Sequence, residues 1–296
     1  MSGKQIIAVA VLGSLIVFAP SASARAGGSF TTIDVPGGVH GTAAFGDNDR
    51  GDIVGQFVDN IGVTHGWLLH DSRFTTIDPP AAAGLTRALG IDNRGDIVGE
   101  FVDAAGKTHG FLLRHGVFST IDDPNGKNGT AAFDINDHGD IVGAFQGANG
   151  VGHGFLLRHD VFTTFDDPDA DRTPGTGTFP EGIDDHGVIV GNVLAGTEEH
   201  GFVLRNGTFT TITDPAAAGR TGAGRTSGDR LVGFFVDSHQ VTHGYVLLRG
   251  RFHTIDDPLG VRGTLVHGID ARGLVVGFFF DATGAMHGFS HLATDR

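Results

Sequence analysis

Thr108-His109-Gly110-Phe111-Leu112-Leu113-Arg114-His115-Gly116-Val117-Phe118-Ser119-Thr120-Ile121-Asp122 decides the fold, because near copies of it run through almost the whole chain. Its first half returns at His65, His109, His153, His200, His243 and His287, each followed by Gly and then by an aromatic residue, at intervals of 44, 44, 47, 43 and 44 residues. Its second half returns at Phe30, Phe74, Phe118, Phe162, Phe209 and Phe252, each opening a segment of the Phe-Thr-Thr-Ile-Asp kind. A fixed period of this length marks a repeat architecture, in which one copy cannot bury its apolar face alone and stacks on the next.

Working outward from that stretch, each copy reads as four short strands. Thr86 to Ile91 forms the innermost and ends in an Asp92-Asn93-Arg94-Gly95 turn, where Asp or Asn starts the reversal and Gly supplies a positive φ. Asp96 to Val102 follows, almost continuously apolar through Ile97-Val98-Gly99, as suits a strand buried on both faces. His109 to Leu113 is the third strand, and a tight turn at His115-Gly116 leads into the fourth, Phe118 to Asp122. Four strands in about 44 residues is the size of a β-propeller blade. A right-handed β-solenoid is the rival, with shorter coils and fewer hairpins.

The glycine after the second strand's apolar pair recurs at Gly55, Gly99, Gly143, Gly191, Gly233 and Gly277, which counts six blades. The last copy stops at His287-Gly288-Phe289-Ser290-His291 with no Phe-Thr-Thr-Ile segment behind it, while a spare one, Phe30 to Asp34, stands before the first blade. The expectation is an all-β, six-bladed propeller of four-stranded blades, closed by the N-terminal strand.

The run Gly90-Ile91-Asp92-Asn93-Arg94-Gly95-Asp96-Ile97-Val98-Gly99, followed by His109-Gly110-Phe111-Leu112-Leu113, resembles the bacterial extracellular repeat family named for a His-Ala-Phe signature (HAF-type repeats). The resemblance covers essentially the whole exported portion, although Gly replaces Ala in all six copies here. It implies export and a propeller-like repeat, and it brings no catalytic residues to carry over.

Lys4 precedes an apolar run from Ile6 to Ala19, and Ala22-Ser23-Ala24 or Ala24-Arg25-Ala26 offers a small-residue cleavage site. This predicts a signal peptide over residues 1–26 and a single domain over 27–296, periplasmic or extracellular. The apolar run falls short of the roughly 20 residues that span a bilayer, so no membrane span is expected after signal removal. Cysteine is absent, which leaves burial and sheet closure, without disulfides, to stabilise an exported chain. A net charge of −14 argues against nucleic acid as a partner. A monomer is expected.

Six copies of one histidine cannot share one active centre, so these imidazoles are expected to hydrogen-bond within their own blades. The phenylalanines at repeating positions mark packing between blades. Asp47-Asn48-Asp49-Arg50-Gly51-Asp52 is shorter than a calcium loop of the twelve-residue kind and reads as a hairpin turn. Arg50-Gly51-Asp52 and Arg94-Gly95-Asp96 match an adhesion tripeptide that a glycine turn among charged residues produces by chance.

The informative positions are those where copies disagree. Two residues before the end of the innermost strand stand Phe45, Leu89 and Phe133 in early copies but Glu181 and His267 in later ones, and the fifth copy runs Gly224-Arg225-Thr226-Ser227. Glu181, Arg225 and His267 are therefore candidate ligand-binding residues at the axis, with Glu181 and His267 the candidate acid/base pair if there is catalysis. The link from Asp166 to Ile183 is longer than its counterparts, and on the link face Asp169, Asp171, Glu198 and Glu199 are candidate oxygen ligands for Ca²⁺. The reading is an exported binding or interaction module for a small polar ligand, a glycan or a protein partner, with the site on the face of the interblade links. A metal-assisted propeller hydrolase or lactonase is the alternative, and a structural surface repeat the third reading.

Overall fold

A computed structural model describes residues 29–196 and 198–293. The expected signal peptide lies outside the described residues. Within them every regular element is a β-strand. The strands Leu85–Ile91, Ile97–Val102, Thr108–Arg114 and Val117–Ile121 follow the expected bounds to within a residue or so, and each pairs antiparallel with the next. Five such four-stranded units follow one another along the chain, and a sixth consists of Thr264–Ile269, Leu274–Phe280, Met286–Leu292 and the N-terminal Thr31–Ile33. Pairing is antiparallel within every unit, which excludes the solenoid.

The turns form for the reasons read in the sequence. In the inner hairpin of the second unit, Asp92 Oδ1 accepts the N–H groups of Arg94 and Asp96, and Gly95 sits at φ +88°. The outer hairpin turns at His115 and Gly116, both with positive φ, in the primed geometry that matches strand twist.

The core lies between neighbouring units. Phe111 is fully buried and lies across Gly99 on the paired strand; a Cβ there would stand 1.9 Å from Arg87 O and 2.7 Å from the Phe111 ring. Trp67, Phe155, Tyr245 and Phe289 lie likewise across Gly55, Gly143, Gly233 and Gly277. Each such ring buries enough apolar area to contribute about 1.5–3 kcal/mol.

The inner strands Thr42–Asp47, Leu85–Ile91, Gly129–Ile135, Gly177–Ile183, Arg220–Ser227 and Thr264–Ile269 contact one another in chain order, and the last contacts the first. They surround an axis. Single parallel bridges, such as Thr64 with Leu85 and Thr108 with Gly129, join the first five units into one hydrogen-bonded sheet. The sixth unit forms its own sheet, so the strand ladder does not run round the whole circle as a fully closed sheet would. Packing joins it instead: the strands of this unit contact the inner strands of the first and fifth. The N-terminal strand completes its outer edge, pairing Thr31 with Ser290 and Ile33 with Gly288, while Phe30 stacks on His291.

Candidate functional site

Each inner strand carries a register shift that leaves a residue unpaired: Phe45, Leu89, Phe133, Glu181 and His267 in five units, and Gly224 with Arg225 in the fifth. A bulge re-aims its side chain. Here the unpaired side chains converge, so Glu181, Arg225 and His267 line one cavity with Arg87, Phe45, Leu89 and Phe133. The three sequence candidates thus share this cavity. Its volume is only about 20 Å³, room for about one water and not for a substrate.

Arg225 bounds that cavity. Its guanidinium crosses the axis from the fifth unit to the third, donating to Asp134 Oδ1, to Leu89 O at 2.6 Å and to Phe133 O at 3.3 Å. Asp134 Oδ2 accepts the Ile183 N–H at 3.0 Å, so the pair is tied to four inner strands. Burial pushes the Asp134 carboxyl above its ordinary range, opposed by the charge of Arg225.

Around the cavity the electrostatics favour neutral forms. Burial, with Glu199 nearby, pushes Glu181 up to about 8, against the pull of Arg225. Burial and the Arg225 charge push His267 down to about 4. Its ring stacks on Phe278 and meets the edge of Phe45, and Nε2 has no partner among the described residues. Arg87 and the buried Glu100 form a further ion pair at 2.8 Å.

On the other side of Arg225 the axis opens into a polar basin of about 180 Å³ on the face of the inner hairpin turns. The turns bond one to the next: Ala271 N–H donates to Asp49 Oδ1, Asp49 N–H to Asn93 Oδ1, Asn93 N–H to Asp137 Oδ1, and Asp137 N–H to Asp185 Oδ1, at 2.8–2.9 Å. The fifth unit, turning at Gly228-Asp229, and the sixth, with Ala271, carry no carboxylate or amide at the matching place, so the ring is open between Asp185 and Ala271. Antiparallel connectivity puts these turns opposite the interblade links. The sequence reading puts the site on the face of the interblade links; the basin lies on the face of the turns, and Arg225 lines both basin and cavity.

Asp47 at the basin wall was missed in sequence, as was Asp134. Both signals were present: Asp47 stands where Ile91, Ile135, Ile183 and Ile269 stand in other units, and Asp134 where Gly46, Gly90, Gly182 and Gly268 stand. Asp47 is 7% exposed, and neither carboxyl oxygen has a hydrogen-bond partner among the described residues. Burial first, and Asp270 second, push it well above its ordinary value.

The candidate calcium ligands sit elsewhere. Asp171 Oδ2 comes within 3.8 Å of the space beside Gly196, so the long link does meet the loop before Glu198. Glu199, however, is held by Arg220 at 2.6 Å, and Glu198 lies 3.3 Å from His200. Among the described residues no three His, Asp or Glu side chains are placed to hold a metal ion.

The repeated histidines bond within their own units. His109 Nδ1 lies 2.9 Å from Asp122 and His287 Nδ1 3.0 Å from Asp34, which the N-terminal strand delivers. Each stacks on the second-strand phenylalanine, as His109 does on Phe101. These pairs are part-exposed and not buried, since they lie at strand ends on the link face. His200 is the exception: Thr213 replaces the aspartate and Val193 the phenylalanine.

No family model matches the chain, and none of the curated proteins matches it in sequence. Among solved structures, a fungal lectin from Aleuria aurantia, described as a six-bladed β-propeller with a novel fucose recognition mode, aligns with a TM-score of 0.54 at 13% identity over 84% of this chain and 90% of the lectin. TolB from Acinetobacter baumannii aligns with a TM-score of 0.56 at 11% identity, over 87% of this chain and 65% of TolB. The β-propeller domain of the Trilobed protease from Pyrococcus furiosus aligns with a TM-score of 0.51 at 11% identity, over 83% and 79%. Likeness at such identities shows architecture alone: the chain has the β-propeller fold.

Proposed function

We propose that the chain is an exported, six-bladed propeller of the His-Ala-Phe-signature kind, clasped by its N-terminal strand, that binds a small polar ligand or glycan in the axial basin. The observation that carries this reading is the convergence of Asp47, Asp134 and Arg225 at the basin. The repeat places Ile or Gly at these positions in most other units, so the fold does not require charge there. A buried ion pair is often no better for stability than apolar packing, and such departures concentrate at functional sites. The lectin among the similar structures supports a glycan as one ligand class. Periplasm or extracellular space is the setting the reading implies.

Binding is favoured over hydrolysis by the volumes. Glu181 and His267 face a cavity with room for about one water, and Arg225 stands between them and the basin. The test is a binding screen of glycans and small polar compounds against the chain lacking residues 1–26, alongside the Asp134→Gly/Arg225→Gly double variant. A ligand held by the wild type and lost by a folded double variant is expected. Equal binding by both, or turnover of a lactone that Glu181→Gln abolishes, would overturn the reading.

A further inference from the structure

We infer that the basin takes a primary ammonium group, so that the ligand of the proposed module is a small organic amine. The inference rests on the basin being the ligand site and adds the chemical class. Its starting point is Asp47, which lines the basin and is 7% exposed, with both carboxyl oxygens unpartnered among the described residues. The other buried acids near it are matched: Asp134 by Arg225, Asp92 by Arg94 and Asp270 by Arg272. A carboxyl out of water and without a partner is costly, and an isoleucine serves at this place in four other units. Space is also kept for it, since a Cβ on Gly268 would stand 2.6 Å from Asp47 Oδ1.

The rest of the basin selects among cations. Asp49 and Asp137 are oriented by the turn ring and by the Asn93 side-chain amide, which donates to both at 3.1 and 2.8 Å. They add two carboxylates on the turns that frame the same basin, while an ammonium needs only one charge-assisted acceptor and can leave its other donors to water. A divalent metal would need six to eight converging oxygen atoms, whereas no three acidic or histidine side chains converge among the described residues. A planar guanidinium already occupies the floor, where Arg225 is neutralised by Asp134. The raised pKa of Asp47 fits a group that ionises when a cation arrives.

The experiment titrates the chain lacking residues 1–26 with ethanolamine and glucosamine, and with glucose and Ca²⁺ as alternatives, by calorimetry. Wild type, Asp47→Asn and Asp47→Ile are compared. The two amines should bind the wild type and glucose should not. Both variants should weaken amine binding by about tenfold or more, the loss expected for one charge-assisted hydrogen bond. Asp47→Ile, which restores the repeat, should melt no lower than wild type; a much lower melting point would make Asp47 structural and overturn the inference. Glucose binding as well as glucosamine, unaffected by Asp47→Asn but lost in a folded Asp134→Gly/Arg225→Gly variant, would overturn the ammonium while sparing the basin. Saturation by Ca²⁺ in place of the amines would overturn it likewise. Binding of nothing would remove both the ammonium and the basin, and amine binding that both Asp47 variants leave unchanged would overturn the ammonium.

Discussion

Glu181→Gln should change how stability depends on pH more than it changes stability itself. The unfolded carboxyl ionises near 4.5 and the folded one near 8, so between these values the folded chain holds the extra proton. Stability from this group is complete below about 4.5 and is lost as pH rises through 8, by up to about 5 kcal/mol. His267 acts in the opposite sense. Its folded value is near 4 against 6.5 unfolded, so the unfolded chain binds the extra proton and stability falls as pH drops from 6.5 to 4, by up to about 3 kcal/mol. The opposite slopes of the two cancel between 4.5 and 6.5, while the raised Asp47 and Asp134 act in the same sense as Glu181, their stability being lost as pH rises above the ordinary carboxylate range. Urea unfolding followed by the fluorescence of Trp67, the chain's one tryptophan and fully buried, measures this directly. Glu181→Gln should match wild type near pH 5 and exceed it by several kcal/mol near pH 9. His267→Phe should lose the acid limb. Parallel curves for wild type and Glu181→Gln would refute the reasoning.

Arg225→Ala should cost about 3–5 kcal/mol, because Asp134 is left buried without its counter-charge, and Asp134→Gly/Arg225→Gly should recover most of that in chemical denaturation. Deleting the chain through Asp34 should cost about 3–6 kcal/mol from the lost burial of Ile33 and Phe30. It should also promote association through the edge of Met286–Leu292, seen as a lower melting point and larger light scattering. His109→Ala should cost about 1–2 kcal/mol, a part-exposed ion pair plus a ring stack. His200→Ala, with neither the aspartate nor the phenylalanine, should melt close to wild type, and binding should survive both.

The architecture was legible because each copy repeats the same local chemistry. Asp92, Gly95 and Gly116 specify turns whatever surrounds them, and the spare Phe30 to Asp34 segment could pair only where the last copy lacks one. Glu181, Arg225 and His267 were legible as departures from an apolar pattern. Their convergence depended on a bulge, which shifts register without a residue signature of its own. Asp47 and Asp134 escaped notice because an aspartate beside an Asp/Asn turn looks like turn chemistry until register places it on the axis. Arg87 and Glu100 belong to strands whose other copies carry Ala43, Leu265, Gln56 or Asn192, so no repeat rule made them stand out. How far the Arg225 side chain reaches across the axis is likewise not encoded in residue spacing.

Mapping ligand-induced chemical-shift changes on backbone amides tests the central claim most directly, using whichever amine or glycan binds. The account predicts that they centre on Asp49, Asn93, Asp137, Asp185 and Gly228, the turns that frame the basin. Changes confined to the interblade links or the outer strands, with these five amides unmoved, would contradict it.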